Sequence, residues 1–210
     1  SSALNFNLTM DAGSLASSGA VDVGTGSFAI TTNDSTDGSI TFSTTLDAGS
    51  LTLDANGTNT DISITASATI ASGGAVSLTA DDTVNFGAAG SITASGAGNV
   101  FLQSNANSAD GDGSDQIIMA DGASIDAGSG TITLTSTGAN SGNITVGELT
   151  TTNSTSSAVI LTSDLAIVDA GATGTNIIAT TGTVTLTGAT GIGSGDAIET
   201  NTAVLVLDSN

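Results

Sequence analysis

Alternating apolar and polar residues recur along most of the chain, in segments of about seven residues. Each segment begins at Gly or another small residue and then places an aliphatic residue at every second position. Copies are GSITFST (38–44), GSLTLDA (49–55), DISITAS (61–67), GAVSLTA (74–80), GNVFLQS (98–104), GTITLTS (130–136), GNITVGE (142–148), AVILTSD (158–164) and GTVTLTG (182–188). This period of two predicts strands with one buried face, and the Val, Ile and Thr content favours the same structure.

A larger repeat contains these segments, in which a short apolar strand turns through small residues into a longer strand. It occurs as GSLASSGAV (13–21), ATIASGGAV (68–76), SITASGAGNV (91–100) and ASIDAGSGTI (123–132). Glycine tolerates positive φ, so it suits the turn. The anchors that we assign to the long strands are Val21, Leu51, Val76, Val100, Ile132, Val159, Val184 and Val204. Their mean spacing is about 26 residues, which is typical of one coil of a β-solenoid.

The sequence therefore predicts an all-β protein, a parallel β-helix of about eight coils, as one repeat segment over residues 1–210. We expect Val76, Val100, Ile132 and Val184 to be buried and stacked on one another. The alternative is an antiparallel β-sandwich, whose hairpins would use turns such as Asn56-Gly57.

Composition narrows the possible functions. The chain has 210 residues, no Lys, Arg or His, 20 acidic residues and a formal net charge of −20. Nucleic acid and anionic membranes would repel such a chain. No apolar run is long enough for a membrane-spanning helix, so membrane insertion is not expected. Without His, Lys or Cys, the chain cannot form Ser–His, Cys–His or Ser–Lys catalytic pairs. We therefore expect that the chain is not an enzyme.

Units such as ASIDAGSGTITLTS (123–136) and ATIASGGAVSLTA (68–80) resemble the repeats of filamentous-haemagglutinin-like exported adhesins. The resemblance extends over most of the chain and rests on composition and period. It implies a right-handed parallel β-helix, export to the bacterial cell surface, and a role in attachment, aggregation or biofilm. The chain departs from that family in having no cationic residue, and no N-terminal secretion domain is evident.

The segment SADGDGSDQII (108–118) lies in the longest interval between anchors and is interpreted as an inserted loop. Asp110, Asp112 and Asp115 lie on a glycine-rich backbone, where their oxygens can converge on a hard cation such as Ca²⁺. The stretch is also similar to one imperfect calcium-binding nonapeptide repeat. The alternative is a solvated acidic loop.

Other acidic and polar clusters have simpler interpretations. Residues 33–37 and 54–57 are predicted to be turns, because Asp and Asn side chains bond to nearby backbone there. Asp81 and Asp82 form the only adjacent acidic pair, and no Trp or Tyr is present to bind a sugar. Rows of Thr, clearest at 131–135 and 183–187, allow an ice-binding face as a remote alternative.

These observations predict a non-enzymatic structural or adhesive segment of an extracellular, cell-surface or matrix fibre. The expected partners are further copies of the same chain, through the strand edges exposed at the ends of a solenoid. Surface glycans or receptors on neighbouring cells are further candidates. A calcium-dependent glycan- or partner-binding module is the alternative function.

Overall fold

The structure, a computed structural model, describes residues 3–34, 38–71, 73–106, 115–171 and 174–209. These residues form 23 strands, and every pair of neighbouring strands is parallel. The described part of the chain contains no helix that could cross a membrane. The protein is a parallel β-solenoid of about eight coils, as the sequence predicts.

Each coil contributes one longer strand to a wall that we call the long arm. Its strands are β1 (Phe6–Met10), β4 (Ser27–Thr32), β7 (Ser50–Ala55), β10 (Val76–Ala80), β13 (Val100–Ser104), β16 (Ile132–Ser136), β19 (Val159–Ser163), and the second halves of β21 (Ile177–Gly188) and β23 (Thr200–Asp208). These strands stack in chain order. The long arm therefore has nine levels, a height of about 38 Å at a strand spacing of ~4.8 Å.

Two further walls close the coil. The short arm contains β3 (Val21–Asp22), β6 (Leu46–Ala48), β9 (Ser67–Ile70), β12 (Ser91–Ala94), β15 (Ser124–Asp126), β18 (Glu148–Thr150), and the first residues of β21 and β23. The second sheet contains β2 (Leu15–Ala16), β5 (Ile40–Phe42), β8 (Ile62–Ile64), β11 (Val84–Phe86), β14 (Asp115–Met119), β17 (Ser141–Val146), β20 (Ala166–Asp169) and β22 (Gly191–Ile192). The long and short arms form one sheet, because β21 runs through both.

Two apolar columns run along the inner face of the long arm and form one wall of the hydrophobic core. The first is Phe6, Phe28, Leu51, Val76, Val100, Ile132, Val159, Val184 and Leu205. The second is Leu8, Ile30, Leu53, Leu78, Leu102, Leu134, Leu161, Leu186 and Leu207. The predicted burial and stacking of Val76, Val100, Ile132 and Val184 is confirmed.

Two of the eight predicted anchors are wrong, both near the ends of the chain. Val21 lies in the short arm, and the long-arm position of its coil is occupied by Phe28. At the other end, Val204 faces outward and Leu205 continues the inner column. With Phe6 at the start, successive column residues are 22, 23, 25, 24, 32, 27, 25 and 21 positions apart.

Glycine recurs two residues before the first column position for a reason other than positive φ. These glycines are Gly26, Gly49, Gly74, Gly98 and Gly130, and they stack at one corner. The Gly49 N–H donates to the Gly26 carbonyl at 2.6 Å. A Cβ added at Gly98 would overlap the carbonyl oxygen of Gly74, and one at Gly130 that of Gly98. Close approach between coils therefore requires glycine here.

Candidate functional site

Of the three predicted calcium ligands, only Asp115 belongs to the described residues. Asp110 and Asp112 lie outside those residues. Asp115 is the first residue of β14, pairs with Ser141 and is 0% exposed. Its backbone carbonyl accepts hydrogen bonds from the hydroxyls of Ser104, at 3.4 Å, and Ser136, at 3.0 Å. Asp115 is thus a buried residue of a corner.

Three aspartates bond to the backbone of the preceding coil at the corner that follows the long arm. Asp34 Oδ2 accepts from the Gly13 N–H at 2.6 Å, and Asp164 Oδ2 accepts from the Gly138 N–H at 2.8 Å. Asp81 Oδ2 accepts from the Gly57 N–H at 2.7 Å. We call these bonds cross-coil caps. Sequence analysis predicted turns around residues 33–37 and 54–57 with bonds to nearby backbone, whereas these bonds join residues 21 to 26 positions apart.

A second kind of aspartate cap is local, and it lies outside the two segments that the sequence analysis predicted to be turns. It occurs between the short and long arms, where the chain turns before a long strand. Asp22 Oδ1 accepts from the Gly24 N–H at 2.8 Å, and Asp126 Oδ1 accepts from the Gly128 N–H at 2.8 Å. Both glycines have positive φ. These carboxylates stabilise turns.

The adjacent pair Asp81–Asp82 also lies in the corner that follows β10. Asp81 is 4% exposed and holds the cross-coil cap on Gly57. Asp82 Oδ1 accepts a hydrogen bond from the Thr83 hydroxyl at 2.9 Å. Within the residues that the structure describes, no three acidic side chains converge closely enough to hold a metal ion.

Asparagine side chains also form hydrogen bonds between neighbouring coils at this corner. Asn56 Nδ2 donates to Asn33 Oδ1, one coil earlier, at 3.3 Å. Asn105 has positive φ, and its Nδ2 donates to the carbonyls of Thr137 and Ala139 in the next coil, at 3.2 and 2.9 Å. The corner after the long arm is therefore joined from coil to coil by amide and carboxylate side chains.

A polar cleft of about 280 Å³ lies between the loops of three consecutive coils. At its base, the buried Asn176 donates to Asp169 Oδ1 at 2.7 Å and accepts from the Glu199 N–H at 2.9 Å. Asp169 Oδ2 is buried and has no hydrogen-bond partner among the described residues. The cleft is lined by Asp121, Gly122, Ala123, Gly147, Glu148, Gly171, Gly174, Thr175 and Asn176. Sequence analysis did not identify this cleft.

The outer face of the long arm carries two columns of mixed composition. One reads Thr9, Thr31, Asp54, Thr79, Gln103, Thr135, Thr162, Thr187 and Asp208. The other reads Asn7, Ala29, Thr52, Ser77, Phe101, Thr133, Ile160, Thr185 and Val206. The first has six Thr in nine levels and the second only three, so paired Thr rows do not continue along the face.

A cavity of about 220 Å³ opens at the first coil, among the ends of the apolar columns. Phe6 stacks on Phe28 with ring centroids 5.0 Å apart, and Phe28 meets Phe42 edge to face at 5.6 Å. The walls of the cavity are formed by Phe6, Leu8, Leu15, Ser17, Val21, Val23, Phe28, Ile30 and Phe42. The lining of this cavity is almost entirely apolar, whereas that of the polar cleft includes acidic and amide side chains.

No protein-family model matches this chain, and no curated protein and no solved structure is significantly similar to it.

Proposed function

We propose that this chain is a structural and adhesive segment of an extracellular bacterial surface or matrix fibre, without catalytic activity. The observation that carries the proposal is the continuity of the two inner columns through nine levels of the long arm. A solenoid of this kind extends in one direction by adding coils, because each coil contacts only its neighbours.

The use of the carboxylates supports the same proposal. Asp34, Asp81 and Asp164 bond to the backbone of another coil, and Asp22 and Asp126 bond to their own turns. A chain with 20 acidic residues and no cationic side chain also suits an extracellular medium, where salt screens the repulsion. The resemblance to exported adhesin repeats adds the expectation of attachment.

The test uses inert beads to which the chain is coupled through one terminus, and it measures how well these beads attach to a surface. We expect these beads to bind to glass, to immobilised polysaccharide or to bacterial cells more than uncoated beads do. Gln103→Asp is the matched control, because it adds a charge on the outer face of β13. Leu102→Asp places the same charge at the neighbouring residue of β13, whose side chain is buried in the core. This variant should lose both the fold and the attachment.

Two results would overturn this proposal. Beads carrying the folded chain that attach no more than beads carrying Leu102→Asp would remove the adhesive role. Release of oligosaccharides from a polysaccharide substrate by the folded chain, and not by Leu102→Asp, would replace it with an enzymatic one.

A second proposal is a calcium-dependent module that binds a glycan or a protein partner. It is favoured by the interval of 32 residues between Val100 and Ile132, the longest in the column, where the segment around Asp115 is inserted. Thermal unfolding in calcium chloride and in magnesium chloride at equal ionic strength tests whether the chain binds the cation on which this function depends.

A further inference from the structure

The outer face of the long arm is uncharged over five consecutive levels, from β10 to the second half of β21. The two outward columns begin there at Ser77 and Thr79 and end at Thr185 and Thr187. None of these ten positions is acidic, although the chain has 20 acidic residues. We call the ten positions the neutral patch. Its side chains are all partly exposed, and they lie in interior coils of the rod.

We propose that a second copy of this chain docks on the neutral patch through the same patch of its own, so that two rods pair side by side. A two-fold axis through the centre of the patch places Thr133 of one copy opposite Thr133 of the other. The inference goes beyond the proposed function, because side-by-side pairing makes a fibre thicker and requires no adhesion to another surface.

The charges on the rest of the rod favour this patch as the contact. The outer face of the short arm carries four exposed acidic residues, Asp22, Asp47, Asp126 and Glu148. The corner after the long arm carries the carboxylates of the cross-coil caps. The chain has no cationic side chain to offset an acidic residue of a partner. Since like charges placed across an interface are strongly unfavourable, two copies approach best at the uncharged face.

The side chains of the neutral patch suit packing of one sheet on another. Phe101 and Ile160 supply apolar contact area and lie two levels apart, on either side of Thr133. Six of the other eight residues are Thr. A Thr side chain presents a methyl group for packing and a hydroxyl that both donates and accepts hydrogen bonds. Two such faces can pack as the sheets of a sandwich do, without burying a charge.

The long arm is also the widest continuous face of the rod. It is about 38 Å high and about 16 Å wide, because five residues of a strand span that length. Two paired faces therefore cover roughly 1,200 Å², at the lower limit for a stable interface. The second sheet is narrower, since five of its eight strands have only two or three residues. We expect a pairing that depends on protein concentration.

A charge at the centre of the patch tests the proposal. Sedimentation equilibrium at about 0.5 M NaCl, where repulsion between copies is screened, should show a monomer–dimer equilibrium for the unmodified chain. Thr133→Asp places two carboxylates against each other and should weaken the pairing by about tenfold or more. Thr145→Asp is the matched control, because Thr145 is a partly exposed outward residue of the same coil on the second sheet. It should pair within about twofold of the unmodified chain.

Thr133→Lys separates the contact from the effect of net charge. The lysine makes the chain less negative, so it would strengthen pairing if net charge alone controlled association. In the proposed dimer, two lysines meet at the two-fold axis, and pairing should weaken. An equal mixture of Thr133→Lys and Thr133→Asp should pair at least as tightly as the unmodified chain, because opposite charges then meet.

Cross-linking locates the contact independently, since no free cysteine is present in the described residues and the whole sequence contains none. Thr133→Cys should form a covalent dimer with a thiol-reactive cross-linker whose arm is about 10 Å, the spacing of packed sheets. Thr145→Cys, on the second sheet, should form several-fold less.

Three results would overturn the inference: a strict monomer of the unmodified chain, equal pairing by Thr133→Asp and Thr145→Asp, or tighter pairing by Thr133→Lys alone than by the unmodified chain. The bead assay separates this inference from the proposed function. A monomer that still attaches beads removes only the pairing, whereas a dimer that attaches none removes only the adhesive role.

Discussion

The carboxylate of Asp81 accepts a hydrogen bond from the backbone N–H of Gly57, with 2.7 Å between Oδ2 and N, although the two residues are 24 positions apart. Asp34 and Gly13 form the same relationship, as do Asp164 and Gly138. The chain has no Lys, Arg or His. Its side-chain carboxylates therefore join neighbouring coils through backbone amides, in place of salt bridges.

Asp81→Ala should lower the free energy of unfolding by about 1.5–3 kcal/mol. The substitution removes a charged acceptor from a corner that is largely closed to solvent and leaves the Gly57 N–H without that partner. Chemical denaturation measures the change. The control is Asp121→Ala, an exposed aspartate in a turn, which should change stability by less than about 0.5 kcal/mol. Equal effects of the two substitutions would show that the cross-coil cap contributes nothing.

Gly98→Ala should be destabilising by about 1–3 kcal/mol, because its Cβ would overlap the Gly74 carbonyl oxygen and force the two coils apart. Gly19→Ala is the matched control, since a Cβ at Gly19 meets nothing within 4 Å. Removing a glycine there should be neutral or slightly stabilising. Urea denaturation of both variants decides the matter, and a stable Gly98→Ala protein would contradict the close approach of these corners.

Leu102→Ala should cost about 2–5 kcal/mol, because Leu102 is fully buried in the second inner column and its truncation leaves a cavity. Its neighbour Gln103 faces outward on the same strand, and Gln103→Ala should change stability by less than about 0.5 kcal/mol. The melting temperatures of the two variants give the comparison. A similar loss in both would mean that the inward and outward faces of β13 are wrongly assigned.

The periodicity of the sequence predicted the central coils well and the ends less well. From Leu51 to Val184 the anchors are correct, because Gly followed by alternating Val, Ile, Leu and Thr occurs in nearly every coil. In the first coil, the segment GSLASSGAV imitates the short-strand unit, but it leads from β2 to β3. At β23, apolar residues on both faces removed the alternation that identifies the inward side.

The cross-coil caps could not be predicted from the sequence, for a physical reason. The sequence contains many turn glycines that could be the partner of Asp34 or Asp164. Which glycine is bonded depends on the register in which the coils stack. The local caps of Asp22 and Asp126 were not predicted either, although a short-range pattern of Asp followed two residues later by Gly marks both of them. The polar cleft beside Asn176 depends on three coils at once, and no motif in the sequence marks it.

Added salt should stabilise the chain, and Asp47→Asn should reduce that dependence. Asp22 and Asp47 are exposed and directly paired on adjacent strands of the short arm, where like charges repel. Thermal unfolding from about 0.01 to about 0.5 M NaCl measures the slope, because screening weakens the repulsion. Asp121→Asn, which removes the same charge from an exposed turn, is the control. A slope that Asp47→Asn and Asp121→Asn reduce equally would leave only the net charge as the cause.

Calcium should raise the melting temperature more than magnesium does at equal ionic strength, if the segment 110–115 binds it. Ca²⁺ accepts the irregular oxygen geometry of a glycine-rich loop, whereas Mg²⁺ requires near-octahedral ligands and keeps its water. A ligand that binds only the folded state stabilises it by mass action, so the increment should grow with calcium concentration.

The measurement is thermal unfolding in sodium, magnesium and calcium chloride, with Asp112→Ala and Asp115→Asn as the test variants. Asp115 is fully buried at the start of β14, so its substitution is expected to lower the melting temperature in every salt. The informative quantity is therefore the difference between calcium and magnesium within each variant. Both substitutions should abolish that difference, and Asp121→Ala should retain it. If the unmodified chain melts at the same temperature in calcium and in magnesium, diffuse screening is sufficient and the calcium site is wrong.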